Sequence, residues 1–256
     1  MMTAVHVFTA VGRRTWHKTL QHPVTLTFSF VQPIIWMAFF GFLFQRYRIE
    51  LDRPDVTYLD FLTSGICAMT VLFGASQSGI GLIRDLQTRF LPRMLGTPAP
   101  ALVMLSGKLA ADVSRLLLQA VAIGTLGAFL GARIALEAGP ILVALLYLLC
   151  FAWALASLSC IIALTTRRQE GMAVFVHLVN LPMLFTSTAL VPARQMPEWL
   201  QSIAGWNPLS LVVDALRDAL LLGTLPSHPW GLVTLAALAL ILFLVAAASA
   251  LRVRPE

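Results

Sequence analysis

Six long apolar runs, separated by short charged segments, constrain this sequence more than any other feature. Each run exceeds the roughly 18 apolar residues that a bilayer-spanning helix needs. At a rise of about 1.5 Å per residue, each is long enough to cross a hydrocarbon core about 30 Å thick. The pattern therefore predicts an all-α integral membrane protein with six transmembrane helices. These predicted spans cover residues 24–44, 60–83, 109–130, 139–164, 172–191 and 230–251.

The composition excludes a water-soluble protein. Of the 256 residues 58% are hydrophobic and 12% are charged, whereas an ordinary soluble domain is about 25% charged. Too few polar side chains remain to cover a globular surface in water. We expect residues 1–256 to form a single transmembrane domain, with spans 1–5 at 24–191 and span 6 at 230–251.

The basic residues predict the orientation of the spans. Cytoplasmic segments of membrane proteins are enriched in Lys and Arg, and eleven of these residues fall on one predicted side against six on the other. The first group is Arg13, Arg14, Lys18, Arg84, Arg89, Arg93, Lys108, Arg167, Arg168, Arg252 and Arg254. The second group is Arg46, Arg48, Arg53, Arg133, Arg194 and Arg217. We expect both termini in the cytoplasm, and we attribute the net charge of +6 to orientation and not to nucleic-acid binding.

Three segments outside the spans have helical patterns. Residues 1–22 interleave apolar and basic side chains around Trp16, which is typical of an amphipathic helix lying on the cytoplasmic leaflet. Residues 84–100 alternate cations with apolar residues and end in Gly96, Pro98 and Pro100, which predicts a short helix broken at its end. Within 192–229, the run 209–222 is too apolar for a solvated loop and too charged for a free span. We expect this outer segment to re-enter the membrane against protein.

Polar residues inside the spans leave two interpretations open. Gln77, in span 2, and His177, Asn180 and Pro182, in span 5, are the candidates for a substrate pathway. A proline-kinked helix stabilised by neighbouring Ser and Thr side chains is equally consistent with the span 5 residues.

Charged residues near the start of span 3 share one helical face. Lys108, Asp112 and Arg115 are spaced by four and three residues. They could form a gate or a partner contact, but we favour an ion pair that neutralises itself within the helix.

The sequence has no catalytic, cofactor-binding or metal-binding pattern. Gly107-Lys108 lacks the upstream glycine of a phosphate-binding loop. We find no triad or paired carboxylates, and no ligand accompanies His177 at helical spacing. We therefore expect a non-enzymatic chain, and any ATP must be bound by another protein.

The order of these features resembles the membrane subunits of type-2 ABC exporters, such as the daunorubicin-resistance permeases and the nodulation-factor and polysaccharide exporters. The resemblance covers nearly the whole chain, and its sharpest part lies between spans 5 and 6. It rests there on Pro192, Pro197, Asn207, Pro208, Asp214 and Arg217.

The resemblance implies half of an ATP-driven exporter in a bacterial cytoplasmic (inner) membrane. Two copies of this chain, or one copy and a related permease, would form the pathway. Two ATP-binding subunits, carrying ATP and Mg²⁺, would dock under these permeases. Residues 84–100 occupy the place of the family's coupling helix, and residues 1–22 that of its interfacial helix. The residues expected to dock the ATPase are Arg84, Arg89, Phe90, Leu91, Arg93, Met94 and Leu95.

The scarcity of charge inside the spans favours a hydrophobic or amphipathic cargo, drug-like or lipid-linked, although a glycan stays open. Such a cargo would leave the cytoplasm or the inner leaflet. The alternatives are a secondary transporter, which would need deep ionisable residues for ion coupling, and a non-transporting membrane scaffold.

Overall fold

A computed structural model describes residues 4–21, 23–44, 56–95 and 100–251. The predicted outer cations Arg46, Arg48 and Arg53, the terminal Arg252 and Arg254, and the helix-ending Gly96 and Pro98 lie outside these residues. Within the described ranges every regular element is a helix, as the apolar periodicity predicts.

Four helices are long and apolar enough to cross a membrane. They are α3 (Tyr58–Gln87), α5 (Ala101–Phe129), α6 (Ala138–Thr166) and α11 (Pro229–Leu251). They correspond to the predicted spans 2, 3, 4 and 6, and α3 and α5 begin before the predicted boundaries. A capping box between Thr57 and Asp60, for example, starts α3 before the predicted boundary.

The predicted spans 1 and 5 correspond to shorter or interrupted helices. Span 1 forms α2 (Pro23–Leu43). Span 5 is built from α7 (Gln169–Phe175), a π-helical turn (Val176–Asn180) and α8 (Leu181–Phe185). The helix therefore ends at Phe185, short of the predicted 172–191, and turns and a 3₁₀ turn follow it. Six membrane crossings remain a prediction.

Further helices form in the chain segments predicted to be helical outside the spans. They are α1 (Ala4–Leu20), α4 (Phe90–Leu95) and the pair α9 (Glu198–Trp206) and α10 (Pro208–Arg217). We call the end of the bundle that holds α1 and α4 the basic end. The helices α3, α5, α6 and α11 meet there around Leu82, Met104, Leu164 and Ala250.

Helix α3 is the centre of the bundle and is buried along most of its length. Its small residues allow neighbouring helices to approach closely. A side chain at Gly74 would overlap Leu116 of α5, and one at Gly79 would overlap Ser159 of α6. Gly127 of α5 lies against Thr63 in the same way. These glycines therefore serve packing within this chain.

Candidate functional site

A cluster of ionic contacts joins α1, α3 and α4 at the basic end. Asp85, near the end of α3, accepts hydrogen bonds from Arg14 at 3.0 and 3.3 Å and from Lys18 at 2.6 Å. The Arg14 guanidinium also lies 3.3 Å from the centre of the Phe90 ring in α4. One carboxylate and one ring thus hold the amphipathic α1 to the helix predicted to couple to the ATPase.

The residues expected to dock an ATPase divide into two sets. Arg84, Arg89 and Arg93 are exposed. The apolar members face their own chain: Phe90 lies under Arg14, Leu91 packs against the main core, and Met94 packs beside Val7 and Val11 of α1. Leu95 is the last residue of α4. A six-residue helix has too little periodicity for the sequence to reveal which face is free.

A buried ion pair links α5 to α3. Lys108 Nζ lies 2.5 Å from Asp112 Oδ2 and also donates to the Ser78 carbonyl oxygen at 2.9 Å. Ser78 Oγ donates to the same Asp112 carboxylate. The lysine and aspartate side chains are only 8% and 10% exposed. The predicted ion pair within the helix is confirmed, and Ser78 extends it to the next helix.

Arg115 does not join that ion pair. Its guanidinium lies 3.5 Å from the Gly74 carbonyl oxygen and 3.5 Å from Gln119 Oε1, both at the limit of a hydrogen bond. Gln119 Nε2 donates to the Ser29 carbonyl oxygen of α2 at 2.7 Å. Arg115 therefore reaches from α5 to α3 with little of its donor capacity used.

A cavity of about 1000 Å³ lies between α1, α2, α3 and α5. Its wall on α3 is a stripe at helical spacing that includes Ile66, Phe73, Gln77 and Arg84. Its wall on α5 includes the Lys108–Asp112 pair, Arg115 and Gln119.

Of the four candidate pathway residues, the structure places only Gln77 in this cavity. Asn180 is buried on the opposite side of α3, where its Nδ2 donates to Ser76 Oγ at 2.8 Å and to the Leu72 carbonyl oxygen at 3.3 Å. His177 and Pro182 are exposed on the outer surface of the single chain. The sequence does not show which helix faces these residues occupy, and a role for them in a pathway stays a prediction.

The interruption of span 5 has a local cause. Pro182 has no N–H to donate to the carbonyl one turn earlier, and a π turn at Val176–Asn180 takes up the extra residue just before it. Thr186 Oγ1 donates to the Pro182 carbonyl oxygen at 2.8 Å. This bond lies at the C-terminal end of α8 and does not replace the donor that Pro182 lacks, so both interpretations of this segment stay open.

The residues that carry the family resemblance between predicted spans 5 and 6 pin α10 against the end of α8. Asn207 Nδ2 donates to the Met183 carbonyl oxygen at 2.7 Å and to Thr186 Oγ1 at 3.0 Å. Its Oδ1 accepts from the Leu209 amide at 2.9 Å and so caps α10, whose first residue is Pro208. Pro192 and Pro197 each precede a short helix, the 3₁₀ turn and α9 respectively.

Arg217 anchors the other end of α10. Its Nη2 donates to the carbonyl oxygens of Thr188 at 2.5 Å and Ala189 at 3.3 Å. Its Nη1 lies 3.3 Å from Asp214 Oδ1, and its guanidinium carbon lies 3.5 Å from the centre of the Phe61 ring. Helix α10 is therefore buried against the protein, while re-entry of the segment 192–229 into the membrane stays a prediction.

Comparison with known proteins agrees with this architecture. The ABC-2 type transporter family matches residues 6–221. The chain belongs to the ABC-2 type transporter family. It is a membrane permease subunit of an ABC transporter, and members of this family normally work with an ATP-binding subunit.

Several named permeases are similar to it. The putative transport permease ycf38 of Pyropia yezoensis is 34% identical over 200 residues, which cover 77% of this chain and 68% of that one. The daunorubicin resistance ABC transporter permease protein DrrB1 of Streptomyces coeruleorubidus is 27% identical, with the same shares covered. Nodulation protein J of Rhizobium leguminosarum bv. viciae is 28% identical over 68% of this chain and 67% of its own.

The cap at Asn207 makes a direct prediction about this permease. Asn207→Ala removes one cap and two donated hydrogen bonds, so we expect the free energy of unfolding to fall by about 1–3 kcal/mol. Unfolding by sodium dodecyl sulfate in mixed micelles measures the loss. Ser202→Ala, on the exposed face of α9, is the matched control and should change stability by less than about 0.5 kcal/mol. Equal stability of the two variants would contradict the anchoring role of Asn207.

Proposed function

We propose that this permease moves a hydrophobic or amphipathic molecule out of the cytoplasm or the inner leaflet, driven by ATP-binding subunits that dock at the basic end. The observation that carries the proposal is the arrangement of α4. Its apolar side chains tie it to α1 and the core, while the neighbouring cations Arg89, Arg93 and Arg84 are exposed.

The contacts of α4 supply a route for movement. Phe90 touches Arg14, Arg14 is bound to Asp85 of α3, and Trp16 Nε1 of α1 donates to Ser114 Oγ of α5 at 3.0 Å. A displacement of α4 is therefore transmitted to α1 and to two long helices together. Rigid-body rocking of packed helices is an established way to alternate access to a site.

The complete topology in this proposal has six crossings and both termini in the cytoplasm. At about 1.5 Å per residue, α2 is roughly 31 Å long, and the interrupted helix over residues 169–185 is roughly 26 Å long. Beyond Phe185, the non-helical backbone at Ser187, Thr188 and Ala189 is buried against protein. Irregular backbone is tolerated at membrane depth in that situation.

A second copy of this permease, or a related one, would complete the pathway in the cytoplasmic membrane of a bacterium. The exposed His177 and Pro182 lie on the interrupted helix of span 5, whose exposed apolar residues include Val174 and Leu178. A dimer that buried this helix would place both residues beside the partner. The ATP and Mg²⁺ would be held by the ATP-binding subunits.

Purification of the permease from its native membrane tests the proposal. We expect an ATP-binding protein to be recovered with it, and ATPase activity that rises with amphipathic compounds. Recovery of the permease alone in mild detergent would contradict the ATP-driven function.

The docking surface makes a second prediction. Arg89→Glu combined with Arg93→Glu reverses two exposed charges without disturbing the contacts of Phe90, so we expect at least a tenfold loss of co-purified ATPase. The measurement is the ratio of ATPase to permease after affinity purification. The matched control is Arg133→Glu combined with Arg194→Glu, which reverses two exposed charges away from the basic end. An unchanged ratio in the first variant would exclude the arginine face as the docking surface.

A further inference from the structure

The cavity between α1, α2, α3 and α5 is amphipathic along its length. Its lining positions on α3 extend from Ile66 to Asp85, which is roughly 28 Å at about 1.5 Å per residue. Toward the outer end the wall is apolar, with Ile66, Met69 and Phe73 on α3 facing Val31 and Ile35 on α2. Toward the basic end the lining becomes polar and cationic.

The charges on this lining do not cancel. Lys18, Arg84, Lys108 and Arg115 are cationic, whereas Asp85 and Asp112 are the acidic side chains among the described lining residues. Lys108 is neutralised by Asp112, and Asp85 is already shared by Lys18 and Arg14. No described carboxylate lies within ion-pair distance of Arg84 or Arg115, so the cavity has an excess of positive charge.

Arg115 is the cation placed deepest in the cavity. It reaches the Gly74 carbonyl, near the middle of α3, and it is partly shielded from solvent. A guanidinium has five N–H donors, and the two contacts of Arg115 are both at 3.5 Å. Its donors and its charge are therefore available to a ligand. Phosphate and carboxylate groups are the anions that a guanidinium binds in a bidentate manner.

We propose that this cavity binds an anionic amphiphile, with its phosphate or carboxylate on Arg115 and its apolar chain along Ile66, Met69 and Phe73. Arg84, at the basic end, attracts the anionic group at the entrance, and Gln77 lies on α3 between Arg84 and Gly74, the residue that Arg115 contacts. The identity of this amphiphile as the cargo rests on the proposed function. Its binding to the permease does not, because binding needs no ATPase.

Native mass spectrometry of the purified full-length permease, released from neutral detergent micelles, tests the proposal with three probes. Dodecyl phosphate carries both the anion and the chain. Dodecylphosphocholine has the same chain but a zwitterionic head group, and inorganic phosphate has no chain. We expect dodecyl phosphate to bind more tightly than either of the other two.

The variants separate the role of Arg115 from general attraction to a basic protein. Arg115→Gln should raise the Kd of dodecyl phosphate at least tenfold, and Arg115→Lys should retain part of the affinity because it keeps the charge but loses the bidentate geometry. Arg133→Gln, which removes an exposed cation far from the cavity, should leave the Kd unchanged. A thermal unfolding curve for each variant verifies that it is folded.

Two results would overturn the proposal. An equal Kd for the wild type and folded Arg115→Gln would exclude Arg115 as the binding residue. Inorganic phosphate or dodecylphosphocholine binding as tightly as dodecyl phosphate would exclude an anionic amphiphile as the ligand. Loss of binding in Arg115→Gln with an unchanged amount of co-purified ATPase would support the cavity site separately from the ATP-driven function.

Discussion

Lys108→Met lowers the free energy of unfolding of this permease by about 3–5 kcal/mol, the range measured when one partner of a buried ion pair is removed. The variant leaves the Asp112 carboxylate buried, with Ser78 Oγ as its one remaining hydrogen-bond donor among the described side chains. Lys108 also donates to the Ser78 carbonyl, so the link between α5 and α3 is weakened at the same time. Unfolding by sodium dodecyl sulfate in mixed micelles measures the loss.

A double-mutant cycle shows whether the unpaired charge is the cause. Asp112→Asn in the Lys108→Met background removes that charge and should recover much of the lost stability, because the two sites are in direct contact. Arg133→Met, which removes an exposed cation just beyond the end of α5, should change stability by less than about 0.5 kcal/mol. Equal stability of the single and double variants would contradict a charge-based explanation.

The sequence predicts this ion pair because its members are four residues apart on one helix. Spacing within a helix fixes which side chains are neighbours before any tertiary structure is known. The same rule predicts that Arg115 shares the face of Asp112, and it does, but the rule does not say whether the two side chains meet. Whether they meet depends on the contacts that Arg115 makes with Gln119 and with Gly74, which belongs to α3.

The contacts at Asp85 could not be predicted from the sequence in this way. Asp85 follows Arg84 at the end of an apolar run, and its partners Arg14 and Lys18 lie 71 and 67 residues earlier in the chain. An amphipathic pattern predicts that α1 lies at a membrane surface, but it does not identify the helix that α1 contacts. The same limit applies to the large cavity, whose wall is shared by four helices and which holds only Gln77 of the predicted pathway residues.

Fold class was easier to predict than site geometry because hydrophobicity acts on whole segments. Within the described residues, four of the six apolar runs form helices that are both long and apolar enough to cross a membrane, and the mixed composition of 209–222 correctly indicates a segment buried against protein. The function of a polar residue depends on single contacts instead. The family resemblance points to Asn207 and Arg217, and only the structure shows that they bond to backbone carbonyls more than 20 residues away.

Arg217→Met should lower the free energy of unfolding by at least about 2 kcal/mol and reduce transport in proportion to the loss of folded permease. The Thr188 and Ala189 carbonyl oxygens lose their donor, and each buried acceptor left unsatisfied costs about 1–3 kcal/mol. The contact with the Phe61 ring of α3 is also lost. Asp214 contributes less, because its side chain is 40% exposed and water can replace the arginine.

Arg217→Lys separates geometry from charge at this position. An ammonium group keeps the charge but cannot bond to two successive carbonyls and stack on Phe61 together, so we expect a stability between those of Arg217→Met and the wild type. Asp214→Asn keeps an oxygen that can accept the hydrogen bond from Thr188 Oγ1. It should therefore lower the free energy of unfolding less than either arginine variant does. A decrease in stability from Asp214→Asn through Arg217→Lys to Arg217→Met would establish that α10 is held by carbonyl contacts to the end of span 5. Asp214→Asn as damaging as Arg217→Met would instead place the anchor in the ion pair.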